Sequence, residues 1–296
     1  MRKEVVWAII AGIGFGLVIA YGAWRVNLTL NQQNNKTAPS PTPIPTGTSE
    51  FKITLNKPEN EDVVTEDSTL VTGITRAFSS IVISAEGEDY FTQANEKGGF
   101  EVAVNLEAGV NQIKITVFDP NGSASIEKVL VVYSSAFEAT PNSKAKAYLG
   151  VVTDIADNTI QIKTNTSEIR QTSTNKDDVI VVKDDGKTTK TVKFTDVAIG
   201  DFIVAMGYVG PNLVLSAQRI LITPQITDPE IAVDLGVGKD VITAKTTQVY
   251  LYEDGKVVKE KLTSIEDEDK VITVSATVNK KATLRTVFII SQNLTE

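Results

Sequence analysis

The sequence predicts an all-β ectodomain carried behind one N-terminal transmembrane helix, and three observations predict it. Residues 5–24 contain no charged side chain. From Phe51 onward, apolar and polar residues alternate in short runs broken by Gly, Asp, Asn and Pro, the period-2 signature of half-buried strands. Residues 147–296 hold two diverged copies of one β unit, with order and spacing kept throughout.

The anchor comes first. Val5–Trp24 reads VVWAIIAGIGFGLVIAYGAW, and at about 1.5 Å per residue it spans roughly 30 Å, the thickness of the hydrocarbon core. Trp7 lies near one end, and Tyr21 and Trp24 near the other, where an aromatic belt places them. Arg2 and Lys3 precede the run and Arg25 alone follows closely. Residues 1–4 are therefore expected to be a cytoplasmic stub, with the rest of the chain extracytoplasmic. A cleaved signal peptide is the rival reading, with Ala20-Tyr21-Gly22 as a small-x-small site; the length of the run and the aromatics at that site favour an uncleaved anchor. Membrane lipid is thus the expected partner of residues 5–24. Gly12 and Gly16 form a small-xxx-small pair that would support a weak homodimer. Residues 25–50 carry Pro39, Pro41, Pro43 and Pro45 and read as an extended spacer without a core.

Composition narrows the chemistry. The 296 residues include no cysteine and no histidine, which excludes disulfides, thiolate chemistry and the usual neutral-pH base. The net charge of −8 is uneven. Residues 51–135 carry six basic and thirteen acidic side chains, net −7. An acidic ectodomain without a basic stripe argues against nucleic acid as a partner.

Within 51–134, the runs Ser68–Arg76, Ser80–Ser84, Phe100–Leu106, Gln112–Phe118 and Ile126–Tyr133 read as strands. Turn chemistry separates them at Glu86-Gly87, Lys97-Gly98-Gly99, Gly109 and Asp119-Pro120-Asn121-Gly122. The stretch Gly109–Tyr133, GVNQIKITVFDPNGSASIEKVLVVY, resembles the closing hairpin of bacterial immunoglobulin-like domains. That resemblance implies an Ig-like sandwich over 51–134, followed by a linker over 135–146, and is silent on function.

The duplication sets residues 147–223 against 224–296. Val151–Ile162 is matched to Ile231–Thr243, Val179–Lys193 to Val249–Lys261, Phe194–Met206 to Leu262–Val274, and Leu213–Thr223 to Ala282–Ser291. Asp185-Gly186 and Asp254-Gly255 sit at the equivalent hairpin turns. Each copy offers about six short strands, enough for a small barrel. The first has extra polar residues at Thr166–Asp178, read as a flexible loop. The pattern resembles an uncharacterised small β-barrel-like domain of bacterial secreted proteins, which implies two tandem barrels or rolls. A basic groove with stacking aromatics is missing, so nucleic-acid binding does not follow.

No motif survives its structural context. Ser125–Lys128 and Ser173–Lys176 match S-x-x-K, but the first falls in a strand and the second in polar sequence, and neither gives the helical turn that chemistry needs. The acidic runs Glu59–Asp62, Glu86–Asp89 and Glu266–Asp269 lack EF-hand spacing and read as solvated loops, with calcium as the sharper alternative. Tyr250 and Tyr252 alternate on one strand face, and Gly236–Lys239 reads as a hairpin turn rather than a phosphate loop. The sequence therefore offers no catalytic, cofactor or metal residue. The expected role is a membrane-anchored cell-surface structural or binding protein presenting tandem β modules. An envelope protein or cell-wall polymer is its expected partner. The alternatives are an accessory subunit of an envelope complex, or an extracellular hydrolase working through carboxylates.

Overall fold

Period-2 alternation dictates strands, and strands are what form. The computed structural model describes residues 51–290 apart from 86, 225–229, 242 and 279–280. The anchor at 5–24 with Gly12 and Gly16, and the spacer at 25–50, lie outside the described residues. Among those described, no helix is long and apolar enough to cross a membrane.

The first module uses β1 (Thr54–Lys57), β2 (Asp62–Val64), β3 (Ser68–Ile74), β4 (Ser80–Ala85), β5 (Glu88–Gln93), β6 (Gly99–Asn105), β7 (Gly109–Phe118) and β8 (Ala124–Tyr133). One sheet is ordered β1-β3-β6, and the facing one β2-β8-β7-β4-β5. Strand β2 runs parallel to β8, so the first strand pair of the module is shared between both sheets, as in Ig-like sandwiches. Val71, Phe100 and Val104 from the first sheet close on Ile81, Ile83, Ile113, Ile115, Val129 and Val131 from the second. Glu88 and Asp89 of the second acidic run, expected in a solvated loop, lie within β5.

The first copy of the repeat uses β9 (Lys146–Ala156), β10 (Thr159–Lys163), β11 (Ile169–Thr174), β12 (Ile180–Asp184), β13 (Thr189–Val192), β14 (Phe202–Val209) and β15 (Leu215–Ile222). Strand β9 pairs with β10 and with β14, β10 with β11, β11 with β15, and β15 with β14. The ring β9-β10-β11-β15-β14 is a closed five-stranded barrel. Ile160, Ile162, Ile203, Leu215 and Ile220 fill it, and Phe194, on a short 3-10 turn, packs into the same core. The expected flexible loop at Thr166–Asp178 is corrected here: it contains β11, the strand that closes the ring. Thr172 is fully buried and donates from Oγ1 to the Leu215 carbonyl at 2.9 Å. A threonine-rich strand satisfied this way carries no hydrophobic signal, yet β-branched residues suit it.

The second copy uses β16 (Glu230–Val237), β17 (Gln248–Glu253), β18 (Lys256–Glu260), β19 (Lys270–Val278) and β20 (Lys281–Ile290). Its sheet order is β16-β19-β20-β17-β18, the same pairing as β9-β14-β15-β12-β13. The parallel step between β20 and β17 repeats that between β15 and β12. Both copies carry a bulge at the same register, between Met206 and Gly207 and between Val274 and Ser275. Among the described residues nothing answers to β10 and β11, so the second copy is an open sheet. Of the two barrels or rolls expected, the first copy is a barrel, and the described residues of the second form an open sheet.

Register also corrects the alignment. Phe202 pairs with Val151 as Lys270 pairs with Val237, so Leu149-Gly150-Val151 corresponds to Leu235-Gly236-Val237. The pairing of Val151 with Ile231 expected from sequence is a slip of six residues. An even slip leaves a period-2 pattern unchanged, so alternation alone could not detect it.

Candidate functional surface

An open sheet must cover its second apolar face, and the second copy covers it with the Ig-like module. Val82, Phe91 and Phe118 of that module pack against Tyr252, Ile272, Val274, Phe288 and Ile290. The Phe91 ring meets Tyr252 edge-on at 4.8 Å between centroids, and Tyr250 stacks on Phe288 at 5.6 Å. The two tyrosines thus share one face, turned toward the sandwich. The first copy turns its equivalent outer face, Ala147, Leu149, Val204 and Met206, toward Val132 and the linker residue Phe137.

The acidic runs sit at these two junctions. Asp89, with a fully buried side chain, accepts a hydrogen bond from Arg285 Nε at 2.8 Å and a second from Arg285 Nη2. Thr286 Oγ1 donates to the same carboxylate. Beside it, Lys114 donates to the Ile231 carbonyl, and burial pulls the lysine below its ordinary pKa. At the first copy, Lys146 bridges Asp62 at 2.8 Å and Glu59 at 3.0 Å, while Lys144 also pairs with Glu59. Arg170 pairs with Glu61 and lies 5.0 Å over the Tyr148 ring. Two of the three runs read as solvated loops are therefore the anionic halves of inter-module contacts. The third stays local: Asp269 Oδ2 accepts from the Glu266 N–H at 2.8 Å and closes a turn.

Among the described residues, no group of three or more acidic side chains could hold a metal ion. Ser125 and Lys128 both lie in β8, and Ser173 is the penultimate residue of β11 with Lys176 beyond the strand; neither pair shares a helical face. The gap that sequence reasoning left was in pairing. The basic residues Arg170 and Arg285 sit far along the chain from Glu61 and Asp89, and no local signal connects them.

The Lys144 and Lys146 ammonium groups hold the Glu59 carboxyl well below its ordinary value of 4.5, at about 2. A carboxylate depressed on folding stabilises the protein above its unfolded pKa, and that contribution is lost as the pH falls through the folded one. The difference in thermal midpoint between the native protein and Glu59→Gln is therefore expected to be small, because the pair is exposed. It should be present at pH 7 and narrow steadily between 4.5 and 2. A gap that does not change across that window would count against the pairing.

No protein-family model matches the chain, and no curated protein matches it. The solved structures to which it is similar include immunoglobulin and fibronectin-III modules. The Ig1-2 module of the Drosophila receptor protein tyrosine phosphatase DLAR is 11% identical over 81% of this chain and 98% of that one, with a TM-score of 0.23. The Bacteroides ovatus mixed-linkage glucan utilization protein SGBP-B, solved with a mixed-linkage heptasaccharide, is 12% identical over 81% of this chain and 70% of that one, TM-score 0.23. The central fibronectin-III array of RIM-binding protein is 12% identical over 82% and 97%, TM-score 0.19. Scores this low carry no argument. The Ig-like sandwich rests on strand order and register.

Proposed function

We propose that this chain is a membrane-anchored surface protein with a structural or binding role, working through surfaces rather than through a catalytic pocket. The observation that carries the reading is the use of the acidic runs. The carboxylates of Glu59, Glu61, Asp62 and Asp89 are each engaged by a lysine or arginine on a strand of the repeats. Side chains that would be hydrolytic candidates instead hold three β modules in fixed relation. Rigid modules behind a proline-rich spacer suit presentation at a distance from the bilayer.

In this reading residues 27–296 are extracytoplasmic. Protease added to intact cells should release the ectodomain by cutting between Asn31 and Glu50. Full protection, or wholesale release during growth without protease, would refute the anchor. A screen of glycan and peptide substrates against the full chain separates this reading from a hydrolase. Turnover abolished by one carboxylate substitution, at unchanged thermal stability, would replace it. Membership of an envelope complex is the second reading, supported by a groove of about 610 Å³ between residues 136–141 and β15, and pull-down from detergent-solubilised membranes tests it.

A further inference from the structure

The two copies end on different edges. Strand β18 closes the sheet of the second copy and, among the described residues, pairs only with β17. By register, Val257 and Val258 stand where the first copy has Thr189 and Lys190 on its own edge strand, β13. Both valines are exposed, at 40% and 51%. The first copy therefore presents polar side chains at this edge, as solvated edges do, whereas the second presents a pair of valines.

The geometry of β18 restricts what can be added to it. A two-residue turn, Asp254-Gly255 with positive φ at both, sets Glu253 opposite Lys256. The pair flanking such a turn exchanges both hydrogen bonds. The backbone groups of Lys256, Val258 and Glu260 therefore point to β17, and those of Val257 and Lys259 point outward. Val258 lies opposite Leu251, which packs on the cluster of Val249, Val271, Val287 and Ile289. A second β18 laid antiparallel must set outward groups against outward groups, so the two-fold axis passes through a residue rather than between two. Centred on Val258, the pairing sets Lys256 opposite Glu260 twice and Val258 against its own copy. Centred on Val257, it sets Asp254 against Glu260, and centred on Lys259 it sets two lysines face to face. Lysines ordinarily keep an edge strand from pairing; this strand carries the neutralising acid at the mirror position. Glu260 also accepts from Ser264 Oγ at 3.1 Å, which leaves lone pairs for a lysine.

We propose that β18 pairs with β18 of a second copy of this chain, antiparallel and centred on Val258, so that the two open sheets join edge to edge. The apolar row from Leu251 to Val258 then continues into the same row of the second copy, and two Lys256–Glu260 pairs flank it. Five residues a side make a weak contact, and confinement of both chains to one membrane raises their effective concentration. Failure of the pairing leaves the surface-protein reading intact, because that reading stands or falls on the protease and substrate screens.

The chain has no cysteine, so one introduced thiol reports one position. The full chain in phosphatidylcholine vesicles is oxidised with copper phenanthroline and read on a non-reducing gel. Val258→Cys is expected to give a dimer, because the Cα atoms of a non-hydrogen-bonded pair lie about 4.5 Å apart, within disulfide reach. Lys190→Cys, at the corresponding position of β13, should give little. Lys256→Glu added to Val258→Cys should cut the dimer about tenfold, because two ion pairs become two repulsions. Glu260→Lys added to both should restore it. Equal yields from Val258→Cys and Lys190→Cys overturn the proposal, and a dimer held through Gly12 and Gly16 gives that result. So does a Val258→Cys yield that Lys256→Glu leaves unchanged, or that Glu260→Lys fails to restore at an unchanged thermal midpoint. The comparison of Val258→Cys with Lys190→Cys stands even if the charge variants do not fold.

Discussion

Replacing Asp89 with alanine is expected to destabilise the protein by about 3 kcal/mol and to loosen the second copy from the Ig-like module. The carboxylate is fully buried and accepts from Arg285 twice and from Thr286 once. Removing it leaves the Arg285 guanidinium, 20% exposed, with no counter-charge and little water. The estimate sits at the lower end of the range for broken buried pairs because that residual exposure lets the cation reach solvent. Asp89→Asn keeps the volume and removes only the charge, so most of the loss should persist. Urea unfolding followed by circular dichroism checks the magnitude, and a transition that splits in two would report release of the second copy. A loss below about 1 kcal/mol would mean that the apolar cluster around Phe288 holds the junction without the ion pair.

Gly150→Ala should cost about 3 kcal/mol, while Gly236→Ala, at the equivalent position, should be neutral or stabilising by up to about 1 kcal/mol. A Cβ at Gly150 would stand 2.2 Å from the Lys163 carbonyl oxygen and 2.8 Å from Ile162 Cγ2. The obstacle is mostly backbone of β10, so it can yield only if the barrel opens there. At Gly236 a Cβ would meet nothing within 4 Å, because among the described residues the second copy has no strand corresponding to β10. Alanine there removes backbone freedom from the unfolded chain without strain. Paired denaturation curves decide the point. Equal costs at both positions would mean that the second copy closes as the first does.

Much of the strand content was legible because its physics is local. Strands β3, β4, β6, β7 and β8 announce themselves by alternation, and Asp254-Gly255 marks its hairpin, with positive φ at both residues. Strands β5 and β11 were missed for opposite electrostatic and polar reasons. Glu88 and Asp89 look solvated until Arg285 covers Asp89, and Thr172 looks like loop until its hydroxyl donates a hydrogen bond to the Leu215 carbonyl.

The sequence by itself determined that the ectodomain is of the all-β class, that the second half is one unit used twice, and that cysteine and histidine chemistry is excluded. These follow from residue types and from spacing within one strand or hairpin. Only the tertiary structure decided that one copy closes into a barrel while the other lies open against the sandwich. It alone decided that two of the three acidic runs are docking points between modules. Closure depends on whether two further strands bridge β9 to β15. Charge pairing joins side chains as far apart as Asp89 and Arg285, 196 residues along the chain. Alternation sets the face a residue takes but not what that face meets, because the meeting is fixed by packing across the whole molecule.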